Sequence, residues 1–225
     1  MKNKPSLPAL LTIKLKQILF PGSKDFWETR YSLGGNSGSG SYGKFAEFKA
    51  DVLNDFVKEK EIRSVIEFGC GDGNQLSLSE YPQYIGLDVS ATALSLCRAK
   101  FIEDKNKSFF LYSPSCFVDH QNVFHADLGL SLDVIYHLVE DDVYNAYMDH
   151  LFNASRKFII IYSSDVNKEG GTHARHVRHR NFSQRVQERF PDWKLLEKIK
   201  NPYPGKGDFG QGSFADFSVF EKHTP

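Results

Sequence analysis

This sequence has few cysteines and no long hydrophobic run. The cysteines number three, and their spacing matches neither a disulfide framework nor a zinc site: Cys70, Cys97 and Cys116. We therefore expect reduced thiols and a cytoplasmic protein. No stretch of about 18 apolar residues is present, so we expect no membrane-spanning helix. The first residues show neither the apolar region nor the cleavage site of a secretory signal, and we expect none.

The chain also has no excess of charge of either sign. Its 225 residues include 28 basic and 28 acidic ones, a balance that argues against a protein that coats nucleic acid by bulk electrostatics. We therefore expect no nucleic-acid partner. What the chain does have is a globular composition, with 40% hydrophobic residues. Its length suits one domain with a small appendage.

We assign residues 1–60 to an N-terminal region and residues 61–225 to the main domain. Residues 8–20 mix apolar and basic residues and predict a short amphipathic helix. Such a helix docks on the domain, or it contacts a membrane surface or a partner, and its pattern does not separate these alternatives.

Residues 26–43 are rich in glycine and serine and predict a loop rather than a helix or a strand. A plain linker would not carry so many aromatic and basic side chains, so we interpret the segment as a lid that orders over a ligand. If the ligand is a cofactor with a second reactant beside it, we expect Trp27, Arg30 and Tyr31 to contact the cofactor and Tyr42 to contact the molecule that accepts the transferred group.

From residue 63 onward, short apolar segments alternate with helical patterns. The predicted strands are Val65–Phe68, Tyr84–Asp88, Ser108–Tyr112, Leu128–Leu132, Phe158–Tyr162, Trp193–Ile199 and Phe214–Phe220. The predicted helices cover residues 44–60, 91–101, 141–155 and 183–190. Apolar strands separated by helices indicate a parallel sheet covered on both faces. We predict an α/β fold, a doubly wound, seven-stranded, mostly parallel sheet with one antiparallel strand and an N-terminal helical and loop cap.

A glycine-rich turn follows the first predicted strand. Glu67 lies in that strand, and Gly69, Gly71 and Gly73 come after it in Gly-x-Gly-x-Gly spacing. Glycines let the backbone turn sharply and approach a nucleotide at the carboxyl end of the strand. A dinucleotide motif would place its third glycine where Asn74 stands, and its pyrophosphate would be repelled by acid. Acid suits the sulfonium and ammonium groups of S-adenosylmethionine, so spacing and charge favour this cofactor over NAD.

A second acid supports an adenosine ligand. Asp88 ends the second predicted strand, about 20 positions after Glu67. A carboxylate there can accept hydrogen bonds from both ribose hydroxyls. This argument applies to adenosine cofactors in general.

Three segments of the chain resemble the class I S-adenosylmethionine-dependent methyltransferases: residues 67–73, 86–90 and 126–138. The resemblance covers roughly residues 63–162, and the tail fits that superfamily's last strands. It implies that Glu67 and the glycines hold the methionine part of the cofactor, that Asp88 holds the ribose, and that the segment around residues 113–117 lines the adenine. The loop from Trp27 to Gly43 resembles, less specifically, the N-terminal cap of methyltransferases found among glycan-biosynthesis enzymes.

Methyl transfer to a hydroxyl needs alignment and a base near the carboxyl edge of the sheet. Asp133 and His137 follow the fourth predicted strand. We interpret Asp133 as a positioning acid near the methionine group. His137 is a candidate base because the pKa of histidine lies near neutrality, although it could instead cap or pack the following helix.

The segment over residues 172–180 contains three histidines and three arginines and follows the fifth predicted strand. His176 or His179 is an alternative base, and Arg178 with His179 could bind a phosphate or carboxylate on the acceptor. A solvated loop remains the alternative. No spacing supports zinc, and the acidic run at residues 140–142 suits a helix start better than a metal site.

The sequence therefore predicts an S-adenosylmethionine-dependent O-methyltransferase acting on a saccharide or another small polar acceptor. Three alternatives remain. The first is a methyltransferase of a protein or nucleic acid, the second is a non-catalytic nucleotide-binding or scaffold protein, and the third is an NAD-dependent enzyme, which Asn74 disfavours.

Overall fold

The computed structural model of the chain describes residues 20–167, 174–205 and 211–223. The amphipathic helix predicted over residues 8–20 lies outside the described residues, except for its last residue. So do the first two residues of the basic segment predicted over residues 172–180.

Seven strands form one sheet: β1 (Val65–Phe68), β2 (Tyr84–Asp88), β3 (Lys107–Leu111), β4 (Ala126–Leu132), β5 (Ser155–Ser163), β6 (Trp193–Ile199) and β7 (Asp216–Lys222). Their order across the sheet is β3-β2-β1-β4-β5-β7-β6. The pairs among β1 to β5 are parallel, and β7 is antiparallel to both of its neighbours. The predicted doubly wound, mostly parallel sheet is confirmed.

Five α-helices accompany the sheet in the described residues: α1 (Ser23–Ser32), α2 (Gly43–Glu59), α3 (Ala91–Lys100), α4 (Asp141–Ala154) and α5 (Phe182–Arg189). One apolar cluster joins one face of the sheet to α4 and α5, and a second joins the other face to α2 and α3. The strands serve both clusters because successive side chains point to opposite faces. None of the described helices is long and apolar enough to cross a membrane.

The strand register gathers the functional residues at one edge of the sheet. β1 pairs with β2 on one side and β4 on the other, with Glu67 opposite Gly86 and Leu130. Because all three strands run in the same direction, their carboxyl ends lie side by side. The turn after β1, the last residue of β2 and the residues after β4 therefore surround one space.

The structure contradicts the loop predicted over residues 26–43. Residues 23–32 form helix α1, and Ser39–Ser41 form a short 3-10 helix. The glycines lie beyond α1 and end it: Gly34 has a φ of +81°, and the amides of Gly34 and Gly35 donate to the carbonyls of Tyr31 and Arg30. The helix itself contains no glycine, whereas the residues after it are rich in glycine, so the composition of residues 26–43 taken together predicted a loop.

Candidate functional site

A cavity of about 320 Å³ lies at the carboxyl edge of the sheet. The predicted site residues that line it are Trp27, Tyr31, Glu67, Gly69, Gly71, Asp88, Asp133 and His137. The sheet supplies its floor, and the N-terminal cap (residues 20–43) supplies another wall. This volume is at the lower end of the range for ligand sites, about 300–1,000 Å³, so the cavity accommodates one cofactor-sized molecule.

The glycine turn after β1 adopts a conformation that requires glycine. The φ angles of Gly69, Gly71 and Gly73 are +87°, +58° and +71°. A β-carbon on Gly69 would lie 2.5 Å from Val134, and one on Gly71 would lie 2.3 Å from the Ser37 hydroxyl. Gly73 does not line the cavity and packs instead against α3 and the residue that follows it. The turn thus brings bare backbone to the cavity wall.

Asp88 fixes the turn and faces the same cavity. One of its carboxylate oxygens accepts a hydrogen bond from the Gly71 amide at 2.9 Å, and the other accepts from the Ser90 amide at 2.8 Å. Burial raises the pKa of Asp88 to about 6, although these hydrogen bonds act in the opposite direction. A carboxylate can accept about four hydrogen bonds, so acceptor positions remain for a ligand.

Glu67 is the second buried acid in the cavity. The Tyr84 hydroxyl donates to it at 2.6 Å. Burial raises the pKa of Glu67 to about 7, whereas the Tyr84 hydrogen bond and the charge of Lys49 lower it. Two acids kept partly protonated by burial would be stabilised as carboxylates by a cation or by hydroxyl donors.

Asp133 follows β4 directly and has a φ of +60°, in the left-handed region. Its carboxylate accepts from the Lys49 ammonium at 2.7 Å and from the Tyr136 hydroxyl at 2.9 Å. Lys49 lies on α2 and is fully buried, and it also lines the cavity. The sequence reading missed Lys49, although a lysine on the apolar stripe of a helix indicates a buried partner.

His137 is held in one tautomer. Its Nδ1 lies 2.9 Å from the His176 carbonyl oxygen, which can only accept, so Nδ1 carries the proton and Nε2 has a free lone pair. Burial lowers the pKa of His137 to about 4. The near-neutral pKa expected from the sequence is therefore wrong, because the buried ring loses hydration of its charged form. His176 itself stacks on Phe26 and does not line the cavity.

The N-terminal cap is fastened to the main domain by polar contacts. Glu28 accepts from the hydroxyls of Ser90 and Thr92 at 2.7 and 2.5 Å, where α3 begins. Ser37 donates its amide to Asp72 at 2.9 Å, and Tyr42 donates its hydroxyl to the same carboxylate at 2.7 Å. These contacts hold the cap over the glycine turn.

Of the four cap residues predicted at the site, two line the cavity and two do not. Trp27 and Tyr31 line the cavity, and their contact with the cofactor stays a prediction. Arg30 donates to the Asn36 carbonyl within the cap, and Tyr42 is committed to Asp72. Neither of these two lines the cavity.

The basic segment after β5 mainly supports α4. Arg178 and Arg180 both pair with Asp141, at 2.9 and 3.1 Å, and both donate to the Val139 carbonyl. His179 contacts the Ser164 hydroxyl at 2.6 Å and the ring of Phe214. Neither Arg178 nor His179 lines the cavity, so their assignment to the acceptor stays a prediction without a geometric contact.

The segment after β3 forms the far wall. Tyr112, Ser113, Pro114 and Ser115 line the cavity beside Asp88, where the sequence placed the adenine. Tyr112 is buried and donates toward, or accepts from, His150 at 2.8 Å. The cavity thus has this wall next to the Asp88 carboxylate, and it also has the charged groups Lys49 and Asp133.

Comparisons with known proteins identify the architecture. No family model matches the chain. Over 97 residues the chain is 33% identical to a small RNA 2′-O-methyltransferase of Arabidopsis thaliana; the match spans 38% of this chain and 10% of the plant protein. The methyltransferase domain of bacterial CtHen1-C superposes with a TM-score of 0.62 and 22% identity, covering 79% of this chain and 98% of that domain.

A second solved structure has a bound ligand. The N-methyltransferase NodS of Bradyrhizobium japonicum WM9, in complex with S-adenosylhomocysteine, superposes with a TM-score of 0.59 and 12% identity and covers 78% of this chain and 85% of its own. Together with the strand order and the position of the glycine turn, these similarities show that the chain has the fold of the class I S-adenosylmethionine-dependent methyltransferases.

Proposed function

We propose that this chain is an S-adenosylmethionine-dependent methyltransferase. One observation carries the proposal: the glycine turn and two buried acids, Glu67 and Asp88, meet in a single cavity at the carboxyl edge of a class I methyltransferase sheet. Asp88 would accept hydrogen bonds from the ribose, and the wall at residues 112–115 would lie against the adenine. The cofactor, when bound, supplies a methyl group already activated by a sulfonium.

The charges around the turn argue against a dinucleotide. Burial opposes ionisation of Asp72, but hydrogen bonds from the Ser37 amide, the Tyr42 hydroxyl and the Asn74 amide hold its pKa below the ordinary value. A carboxylate is thus fixed beside the turn where a dinucleotide would place its pyrophosphate. The same charge favours a cofactor with cationic groups.

We propose a hydroxyl group of a saccharide or another small polar molecule as the acceptor, in a glycan pathway as the cap resemblance implies. His137 supports a hydroxyl because it lines the cavity and, with Nδ1 bound to the His176 carbonyl, its Nε2 is the unprotonated nitrogen. Asp133 would position the reactants, and His137 would accept a hydrogen bond from the hydroxyl and take its proton. The hydroxyl oxygen would displace the cofactor's sulfur from the methyl carbon, with S-adenosylhomocysteine as the leaving group. A cytoplasmic location, also proposed, is supported by three free cysteines.

The ribose hydroxyl of an RNA is a second candidate acceptor. The match to the Arabidopsis small RNA 2′-O-methyltransferase favours this acceptor. The expectation of no nucleic-acid partner is therefore unconfirmed, and RNA stays open as an alternative. The limited share of the plant protein in the match and the neutral charge of this chain argue for the smaller acceptor.

Calorimetric titration with S-adenosylhomocysteine, with NAD as the control ligand, tests the cofactor. We expect micromolar binding of the first and none of the second. Transfer of a labelled methyl group to a panel of saccharides and to short RNAs then tests the acceptor. Absence of S-adenosylhomocysteine binding would refute the methyltransferase proposal and favour a scaffold protein, whereas label in RNA alone would refute the saccharide.

A further inference from the structure

Lys49 is a buried charge that the chemistry proposed above does not use. Its side chain is 1% exposed, and its ammonium contacts Asp133 at 2.7 Å and faces the Tyr162 ring at 5.3 Å. A lysine ammonium has three donors, and only one of them has a hydrogen-bond partner in the part of the chain that the structure describes. Because a buried ammonium is costly unless its donors are satisfied, the spare donors indicate a ligand group.

Asp133 also has capacity left. Its side chain is 13% exposed, and its carboxylate accepts from Lys49 and Tyr136, which leaves about two acceptor positions. Both Lys49 and Asp133 line the cavity. The cavity wall therefore offers a cation with free donors next to an anion with free acceptor positions.

The neighbouring charges define which ligand group fits. A phosphate or carboxylate on its own would be attracted by Lys49 but repelled by Asp133. It would also be repelled by ionised Glu67, which lies close enough to Lys49 for the ammonium to lower its pKa. A simple cation would meet the opposite problem. A group that carries one positive and one negative charge a few ångströms apart matches both residues.

We propose that Lys49 and Asp133 together bind the amino-acid end of the cofactor, Lys49 taking the carboxylate and Asp133 the ammonium. This inference rests on the proposed function, since S-adenosylmethionine and S-adenosylhomocysteine end in such a zwitterion. The pair makes the site specific for the amino-acid form of the cofactor over nucleosides that lack it. Glu67 then interacts electrostatically with the ammonium group of the cofactor and does not bind the cofactor's carboxylate.

Two ligands that differ by one group test the assignment. We compare S-adenosylhomocysteine with its decarboxylated analogue, which keeps the amine, by calorimetric titration of the wild-type chain. Charge-assisted hydrogen bonds are strong enough that loss of the carboxylate should weaken binding about 10-fold or more. Equal affinities of the wild-type protein for the two ligands would overturn the assignment, and this arm needs no variant that might fail to fold.

Substitutions then locate the contact. Lys49→Met should weaken S-adenosylhomocysteine binding about 10-fold or more and change binding of the decarboxylated analogue less than about threefold. Asp133→Asn should weaken both ligands, because both carry the amine. Lys58→Met is the matched control, since Lys58 is exposed on the same helix and lies outside the cavity; it should change neither affinity.

The outcomes separate this inference from the proposed function. If neither ligand binds the wild-type chain, the methyltransferase proposal fails and the inference fails with it. If both bind but Lys49→Met weakens them equally, or affects only the KM of the acceptor, the cofactor proposal stands and the role of Lys49 is refuted. Thermal unfolding of each variant without ligand shows whether the folded state is being compared.

Discussion

Gly71 provides a direct test of how the glycine turn and the N-terminal cap depend on each other. A β-carbon at Gly71 would lie 2.3 Å from the Ser37 hydroxyl and 2.9 Å from the Tyr31 hydroxyl. The Ser37 hydroxyl accepts from the Asp72 amide at 3.0 Å and contacts the Tyr31 hydroxyl at 2.9 Å. Gly71→Ala therefore strains the backbone and displaces a hydroxyl that has two partners.

The cost of Gly71→Ala follows from these contacts. The left-handed backbone costs alanine about 1–2 kcal/mol, and each lost hydrogen bond costs about 0.5–1.5 kcal/mol. We expect the free energy of unfolding to fall by about 2–5 kcal/mol. Gly43→Ala is the matched control, because Gly43 has a φ of +53° and nothing within 4 Å of an added β-carbon. It should lose only the backbone contribution, about 1–2 kcal/mol.

Urea unfolding of both variants measures these energies, and titration with S-adenosylhomocysteine measures the effect on the site. Gly71→Ala should also weaken S-adenosylhomocysteine binding, because Gly71 and Ser37 line the cavity, whereas Gly43 does not. If Gly71→Ala is no more destabilising than Gly43→Ala, the cap does not rest on the turn, and our account of this contact is wrong.

Three further predictions concern protons and side chains at the site. Burial raises the pKa values of Glu67 and Asp88 above their ordinary 4.5 and 3.8, to about 7 and about 6, so the folded state binds more protons and these groups stabilise it less as pH rises through that window. Conversely, affinity for S-adenosylmethionine should increase between about pH 5.5 and 7.5 as carboxylates form; calorimetry at several pH values would contradict this if affinity stayed constant or fell. Glu28→Gln should lower the midpoint of thermal unfolding by reducing the free energy of unfolding by about 1 kcal/mol, because Glu28 accepts hydrogen bonds from hydroxyls at the start of α3. An unchanged midpoint would show that Glu28 does not attach the cap to the main domain. His137→Ala should abolish most turnover and spare cofactor binding, whereas His176→Ala should lower turnover less, since the backbone carbonyl that holds His137 remains; equal losses in single-turnover assays would argue against this division of roles.

The sheet and the glycine turn could be predicted because each depends on local sequence. Buried parallel strands are continuous apolar runs, and the runs ending at Phe68 and Asp88 match β1 and β2 to the residue. The turn requires positive φ at Gly69 and Gly71, which few residue types other than glycine adopt. Backbone constraints of this kind can be predicted from residue type alone.

Lys49 shows which contacts cannot be predicted from the pattern of residue types along the sequence. It lies four residues after Phe45 and four before Leu53, on the buried stripe of α2, so its burial could have been expected from helical spacing. Its partner Asp133 is 84 positions away and meets it only because β4 ends beside α2. A pairing over that distance depends on the tertiary fold, and no spacing rule would have selected it.

The basic segment after β5 shows the same limit from the other side. Position after the carboxyl end of a strand puts this segment next to His137, through the His176 carbonyl, but position does not say which groups face the ligand. Arg178 and Arg180 are committed to Asp141 and to carbonyls at the start of α4, and that helix begins four residues after His137. Residues 174–180 therefore support the site without contacting the cavity. The His176 carbonyl fixes the tautomer of His137, and the two arginines bind the backbone between His137 and α4. Charge density near an active site is thus compatible with a supporting role, and the distinction rests on whether the charges already have partners.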